Sequence, residues 1–431
     1  MTEKPSTGLL GGLNHNFILK DSGYSNYEST VDMPRHRWYY YKEGFSPNLV
    51  LKAIEKTGIG KDDVIIDPFD GSGTTTLTAS LGGHKSIGIE VNPFTSFLSD
   101  VKTRNANVDH LKTLGAKLAN SSQKGSPSPL VGFSTFSWKK GLDKWLFKKS
   151  ILNSFEGGWQ FTKQIPSSNI RKLLRLALIS AAMQNCNATR DGKCLRYRES
   201  WKTKTFDKAS FSQDLISMLS QISLDIEEKR IEQKPVIVNG DCRVILKSSK
   251  KIKPFKLCVT SPPYLNTFDY TDIYRPELFL GKFVDNNKEL RHLRLNTVRS
   301  HIQVNWNRPT MKEFGELYSS SMKHIEENNE DLMDKKIPLM IQAYFEDMFN
   351  ILKSLKAHAA EDAQVWIVVS NSAYAGLEVP VDLIIGEIGS RAGWYLKEIG
   401  VLRYIRRRKT NHSANITHLR ESVIIFSKSK I

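Results

Sequence analysis

Apolar residues along this chain follow two periods. Short, largely apolar runs at 64–66, 85–89, 235–239, 256–259 and 364–369 each end at a glycine, proline or polar turn. Runs of that length, bounded in that way, predict buried strands. Between them lie stretches with helical spacing. Ser46 and Pro47 start one that carries Leu49, Val50, Ala53 and Ile54. Others span 74–81, closed by Gly82 and Gly83, then 337–355, and 380–392 with Gly393 as the stop. The last two apolar runs, 394–405 and 421–427, read as a terminal pair of strands. Strands alternating with helices predict an α/β fold, with a mostly parallel sheet and a terminal antiparallel hairpin.

The alternation breaks twice. Residues 106–231 read as a mainly helical insertion, with an amphipathic helix at 108–118, a Ser/Pro/Gly/Lys linker at 123–129 and a buried Leu-rich helix at 170–183. Trp138 and Trp145 stand among Lys139, Lys140, Lys144, Lys148 and Lys149, and basic residues of 190–204 flank Tyr197 and Trp201. Such interleaving suits phosphate contact and base stacking. For any one of these residues, a solvated helix face is the simpler reading. Residues 283–334 are charged and irregular, and Arg291, Arg294, Arg299, His301 and Trp306 make a second candidate for nucleic-acid contact. The expected organisation is therefore a flexible arm (1–30), three pieces of one catalytic domain (31–105, 232–282 and 337–431), the insertion (106–231), and a variable region (283–336).

Composition narrows the partners. The 431 residues are 40% hydrophobic and 25% charged, as in ordinary globular proteins, and the formal net charge is +17. That excess of cations points to a polyanion, most simply nucleic acid. Cys186, Cys194, Cys242 and Cys258 form no C-x-x-C pair, so neither a zinc ribbon nor a redox motif is expected. No metal-binding motif and no membrane-spanning run is present in the sequence, and the first twelve residues lack a signal pattern, so a cytoplasmic location is expected.

The candidate chemistry sits at strand ends. The run at 64–66 leads into Asp67, Pro68, Phe69, Asp70, Gly71, Ser72, Gly73, Thr74 and Thr75. The glycines allow a tight turn and close approach of backbone to a ligand. Glu90 ends the next strand, about twenty residues on, where ribose-binding acids stand in nucleotide-binding β-α-β units. No lysine follows Gly73, and Asp67 and Asp70 repel phosphate. Acids suit a ligand with a positive end, such as the sulfonium and amino group of S-adenosylmethionine, over NAD or ATP. Asp241, after the strand at 235–239, is either an acceptor for an adenine amine or a plain turn residue. The strand at 256–259 delivers Thr260, Ser261, Pro262, Pro263 and Tyr264. Two prolines stiffen that corner. They present carbonyls, a hydroxyl and an aromatic face, the groups that hold a planar base and accept from its amine. The segment 36–47 (His36, Arg37, Trp38 and three tyrosines, then Phe45 to Pro47) reads equally as core or as ligand lining. The basic run Arg406 to Lys409 reads equally as a phosphate contact or a solvated loop.

Together, Asp67 to Thr75, Glu90, Asp241 and Thr260 to Tyr264 resemble the DNA amino-methyltransferases, which methylate N4 of cytosine or N6 of adenine. The segment from His36 to Pro47 resembles the family's extra motif. The resemblance covers about half the chain. It implies a class I S-adenosylmethionine-dependent methyltransferase fold, which is Rossmann-like. Asp67 and Phe69 to Gly73 would bracket the methionine part of the cofactor, with Thr74 beside them. Glu90 would bind the ribose hydroxyls and Asp241 the adenine amine. Ser261, Pro262, Pro263 and Tyr264 would be catalytic. Ser-Pro-Pro-Tyr is the form typical of N4-cytosine enzymes. The implied partners are double-stranded DNA and, functionally, a cognate restriction endonuclease. The cofactor turn here precedes the catalytic motif, the reverse of many relatives with this glycine turn, which leaves both non-matching segments as candidates for target recognition. Alternative readings are N6-adenine methylation, an RNA or tRNA guanine methyltransferase, and an inactive nucleic-acid-binding protein. A cysteine-based carbon-5 mechanism lacks its Pro-Cys loop.

Overall fold

A computed structural model describes residues 13–17, 28–190, 195–204, 206–248, 252–407 and 415–430. Most of the expected arm, together with Cys194, Arg408 and Lys409, falls outside them. Seven strands form the main sheet: β1 (Val64–Asp67), β2 (Lys85–Glu90), β3 (Val236–Asn239), β4 (Phe255–Thr260), β5 (Ala359–Ser370), β6 (Tyr395–Arg406) and β7 (His418–Ser427). Their order is β6-β7-β5-β4-β1-β2-β3. The five strands β5-β4-β1-β2-β3 run parallel, and β7 is antiparallel to both β5 and β6. From β1 the chain winds outward to β2 and β3, then returns to β4 on the other side. The strand order reverses between β1 and β4, and the crevice beyond their carboxyl ends is where such sheets take ligands.

Two cores explain the apolar runs. Ile65, Leu257, Val259 and Trp366 face the helix Pro47–Thr57 through Leu49, Val50 and Ala53. Ile66, Cys258, Val365 and Ile367 face the helices Ile337–His358 and Val381–Arg391. With both faces covered, alternate side chains of β1, β4 and β5 are buried on opposite sides, so these strands read as unbroken apolar runs. The run at 235–239, expected to be buried, is instead the edge strand β3, with Val236 and Asn239 exposed, since only one neighbour covers it. Ser46 caps the first helix by accepting from the Asn48 N–H at 3.2 Å, and Gly58 ends it at φ +62°.

The insertion folds as four main helices, Val108–Lys124, Lys149–Thr162, Ser168–Gln184 and Lys208–Glu228. Their shared core runs on into Phe94, Leu98 and Val101 of the helix Pro93–Lys102 and into Leu278 and Leu280. In Ser168–Gln184, Leu173, Leu174, Leu176, Ala177, Leu178 and Ile179 are all fully buried; Arg171, Lys172 and Arg175 form a partly exposed face in the first half, and the helix is enclosed on every side from Leu176 to Ala182. A side chain at Gly157 would press to 2.6 Å from the Ser121 carbonyl oxygen, so glycine sets that helix crossing. Asp225, fully buried on the last insertion helix, accepts from the Arg35 N–H (2.7 Å), the Trp38 indole (2.8 Å) and the Arg37 guanidinium (2.5 Å). Those bonds tie the insertion to the segment that precedes the sheet.

The variable region is more ordered than its charge suggests. It contains the helices Asn287–Leu295 and Glu316–Glu327, seated by Leu290, Tyr318, Met322 and Ile325. Arg299, a candidate phosphate contact, is instead buried against Asp347 (2.7 Å) and Glu346 (2.6 Å). Within the expected arm, Asn14 bridges Gly400 of β6 and Phe17 is buried edge-on to Trp366. Among the described residues, no helix is long and apolar enough to cross a membrane.

Candidate active site

The first wall of the site is the turn after β1. Asp67 Oδ1 accepts from the Phe69 N–H (2.9 Å) and from the Thr260 hydroxyl (2.6 Å), and the Thr75 hydroxyl donates to the Val259 carbonyl (2.8 Å). The glycine turn and the double-proline corner are thus stitched side by side. Gly71 and Gly73 have φ of +51° and +84°, and a Cβ on Gly73 would lie 2.6 Å from Ser99 Oγ. Only glycine takes that conformation at no steric cost. Asp70 is buried and accepts from Thr76 (2.8 Å) and Ser99, lying over Gly88, where a side chain would collide with it. Glu90 accepts from the Gly71 N–H through one oxygen and the Asn92 N–H through the other, each at 2.8 Å.

The second wall is the corner after β4. The Ser261 hydroxyl donates to the Val368 carbonyl at 3.2 Å. Tyr264 donates its phenol proton to Glu421 Oε1 (2.7 Å), and Glu421 Oε2 pairs with Arg403 Nε (2.7 Å). The third wall is aromatic. Tyr41 stacks on Tyr274 at 5.3 Å, and Tyr274 donates to Glu43 Oε2, while Glu43 Oε1 is buried without a partner. Behind it, Arg190 lies 4.4 Å over the Tyr274 ring, pairs with Glu277 and donates to Tyr39 at 3.0 Å. Arg190 therefore braces this wall rather than facing a phosphate.

These walls enclose one cavity of about 260 Å³. Phe69, Asp70, Gly71, Ser72, Thr74 and Glu90 line it, as do Ser261, Pro262, Pro263 and Tyr264. Asp67 and Gly73 stand behind the lining. Asp241 follows β3 but is not brought in: Arg243 takes both its oxygens, at 3.0 and 2.8 Å, and bridges on to Asp347. Sequence reasoning missed Glu43, Tyr274, Arg403 and Glu421 as lining residues. Arg403 and Glu421 become neighbours only through the β6–β7 register, which no local motif encodes.

The electrostatics favour a cation. Burial pushes the Asp67 carboxyl up to about 7, and burial together with the Asp67 charge pushes Asp70 well above its usual range. Burial raises Glu90 as well. Asp67 Oδ2 has no hydrogen-bond partner. The lining carboxylates Asp70 and Glu90, with Asp67 behind them, and the aromatic wall fit the sulfonium and ammonium of S-adenosylmethionine and oppose a pyrophosphate.

A sheet of this order, with an acidic glycine turn after β1 and an acid closing β2, is the fold of the class I S-adenosylmethionine-dependent methyltransferases. The DNA methylase family model N6_N4_Mtase matches residues 14–96. The chain is 28% identical to the Type II methyltransferase M.BsoBI of Geobacillus stearothermophilus, covering 94% of this chain and 87% of that one. It is 25% identical to M.AvaI of Nostoc sp. (88% and 82%) and 23% identical to M.MvaI of Kocuria varians (82% and 80%). The chain is thus similar to DNA methylases over residues 14–96 and to Type II methyltransferases along most of its length, a likeness that implies S-adenosylmethionine as methyl donor.

Proposed function

We propose that the protein methylates the exocyclic N4 amine of cytosine within a specific sequence of duplex DNA, as the modification enzyme of a restriction-modification system. The observation that carries this reading is the single cavity shared by the acidic glycine turn and the Ser261 to Tyr264 corner. Asp67, Asp70 and the Gly71–Gly73 turn would hold the methionine end of S-adenosylmethionine, and Glu90 its ribose. Asp241 is left out, because Arg243 occupies its carboxylate. The bound cofactor supplies an electrophilic methyl group.

The chain's own work is positioning. A target amine lies inside the stack, so the base leaves the duplex at a cost of a few kcal/mol, offset by contacts in the cavity and to phosphates. Tyr264 stacks on the extruded ring. Ser261 Oγ and a carbonyl of the Pro262–Pro263 corner accept from the amine, which favours tetrahedral nitrogen and turns its lone pair toward the methyl donor. Preorganised acceptors and alignment supply the rate.

Ser261 supports cytosine over adenine, since Ser-Pro-Pro-Tyr is the form associated with N4 enzymes. The test is mass spectrometry of nucleosides from unmodified DNA incubated with the protein and labelled S-adenosylmethionine. N4-methylcytosine is the expected product. N6-methyladenine would replace the base assignment, and label entering tRNA but not DNA would overturn the reading.

A further inference from the structure

We propose that Arg403 and Glu421 form a positioning pair that holds the Tyr264 ring in its base-stacking orientation. The proposal rests on the functional reading above and names residues that act through Tyr264 rather than on the substrate.

The corner itself leaves Tyr264 underdetermined. Pro262 and Pro263 fix backbone up to residue 263, but the Tyr264 side chain keeps two torsions, and the ring borders an open cavity. Where the ring borders the cavity its packing is incomplete, so a bond at the phenol end adds a restraint on its orientation. Glu421 is placed to do that. It lies near the start of β7, which is hydrogen-bonded on both flanks, with Ser370 of β5 opposite on one side and Arg403 of β6 on the other. Because β7 is antiparallel to the five parallel strands, its start lies at their carboxyl ends, level with the corner. The carboxylate is 2% exposed as a residue and divides its oxygens, one to Tyr264 and one to Arg403. A hydrogen bond to an ionised acceptor is about twice as strong as a neutral one.

Arg403 completes the arrangement. A lone carboxylate beside a partly dry cavity would be costly, and a bonded guanidinium offsets that cost while fixing the carboxylate plane. Both Arg403 and Glu421 line the cavity, which is not where a pair that merely closes a hairpin needs to be. Burial and the Glu421 charge raise the phenol well above its usual range, so it remains a donor across neutral pH.

The test is a double-mutant cycle with Tyr264→Phe and Glu421→Ala, assayed by tritiated methyl transfer to unmodified genomic DNA. Each single variant is expected to lower kcat about 10- to 100-fold, the scale of a misaligned reacting group. KM for DNA and calorimetric affinity for S-adenosylmethionine should stay within about twofold, because ring orientation matters after binding. The double variant should be no slower than the slower single one, since both remove the same restraint. Glu421→Gln, which keeps an acceptor for the phenol, should recover part of the activity. Wild-type kcat in Tyr264→Phe, which leaves the sheet untouched, overturns the proposal, as do losses that multiply in the double variant. A wild-type protein that methylates no DNA sinks the functional reading instead, whereas an active wild type with independent losses sinks the pair alone.

Discussion

In the proposed cofactor site, Asp67 would couple ligand binding to pH. Folded, its carboxyl keeps a proton up to about pH 7; its ordinary value is 3.8. Between those values the folded state binds more protons than the unfolded chain, so this group's contribution to stability is lost as pH rises from about 4 to 7. A cationic cofactor prefers the ionised form, so its affinity moves the other way. Calorimetry should show S-adenosylmethionine binding tightening between pH 6 and 7, by up to about tenfold per unit for one coupled proton, and Asp67→Asn should flatten that slope. A flat wild-type profile would remove Asp67 from the cofactor site. At the opposite wall, Ser261→Ala and Tyr264→Ala should each cut methyl transfer by about 100-fold or more while cofactor affinity survives. Equal rates in variant and wild type would mean that the corner is not the reacting site. These residues were legible in the sequence because glycine and proline write backbone geometry locally. Glu43, Tyr274, Arg403 and Glu421 were not, because the sheet order alone brings them to the cavity.

At the scale of elements, the central parallel strands were legible because burial on both faces leaves continuous apolar runs bounded by turns, whereas the apolar edge strand β3 was read as buried and is not. The insertion was recognised as helical, but Lys149–Thr162 and Lys208–Glu228 were not separately visible, since polar residues interrupt their apolar stripes. The variable region hid its two helices behind charge for the same reason. One element keeps the nucleic-acid reading given to its sequence. Trp138 is 62% exposed beside exposed Lys139, Lys140 and Lys144, and Arg275, next to the cavity residue Tyr274, anchors that loop by donating to Ser134 at 2.6 Å. Replacing Lys139 and Lys140 with Ala should weaken DNA binding and lower the log–log salt slope by about 1 per lysine. Replacing Trp138 should weaken binding with the slope unchanged. If neither changes affinity, DNA contact lies elsewhere on the molecule.

Over the whole molecule, the insertion and the sheet are coupled through Asp225. Three donors from residues 35–38 converge on it, and removing the acceptor strands the buried Arg35 N–H and Trp38 indole, while the partly exposed Arg37 turns to water. Asp225→Ala should lower stability by about 3 kcal/mol or more, read as a drop in the urea midpoint followed by tryptophan fluorescence. A midpoint unchanged from wild type would show that the apolar core alone holds the insertion in place. The distribution of charge acts on this scale as well. A net +17 speeds approach to a polyanion, whereas Asp67, Asp70 and Glu90 give the glycine turn a local excess of acid, suited to the cationic cofactor proposed there.

The bond between Thr260 and Asp67 joins residues 193 positions apart. A ribosome adding about 5–20 residues per second needs on the order of ten to forty seconds to emit that interval. Throughout it, one flank of β1 waits with its amides and carbonyls unpaired. The helical insertion is made during this delay and shares its interior with the helix Pro93–Lys102, so it can condense onto the half-built sheet before the missing strand arrives. Placing so much chain between two adjacent strands therefore makes birth on the ribosome, rather than the finished state, the stage at which this protein is most exposed to aggregation and most in need of a chaperone.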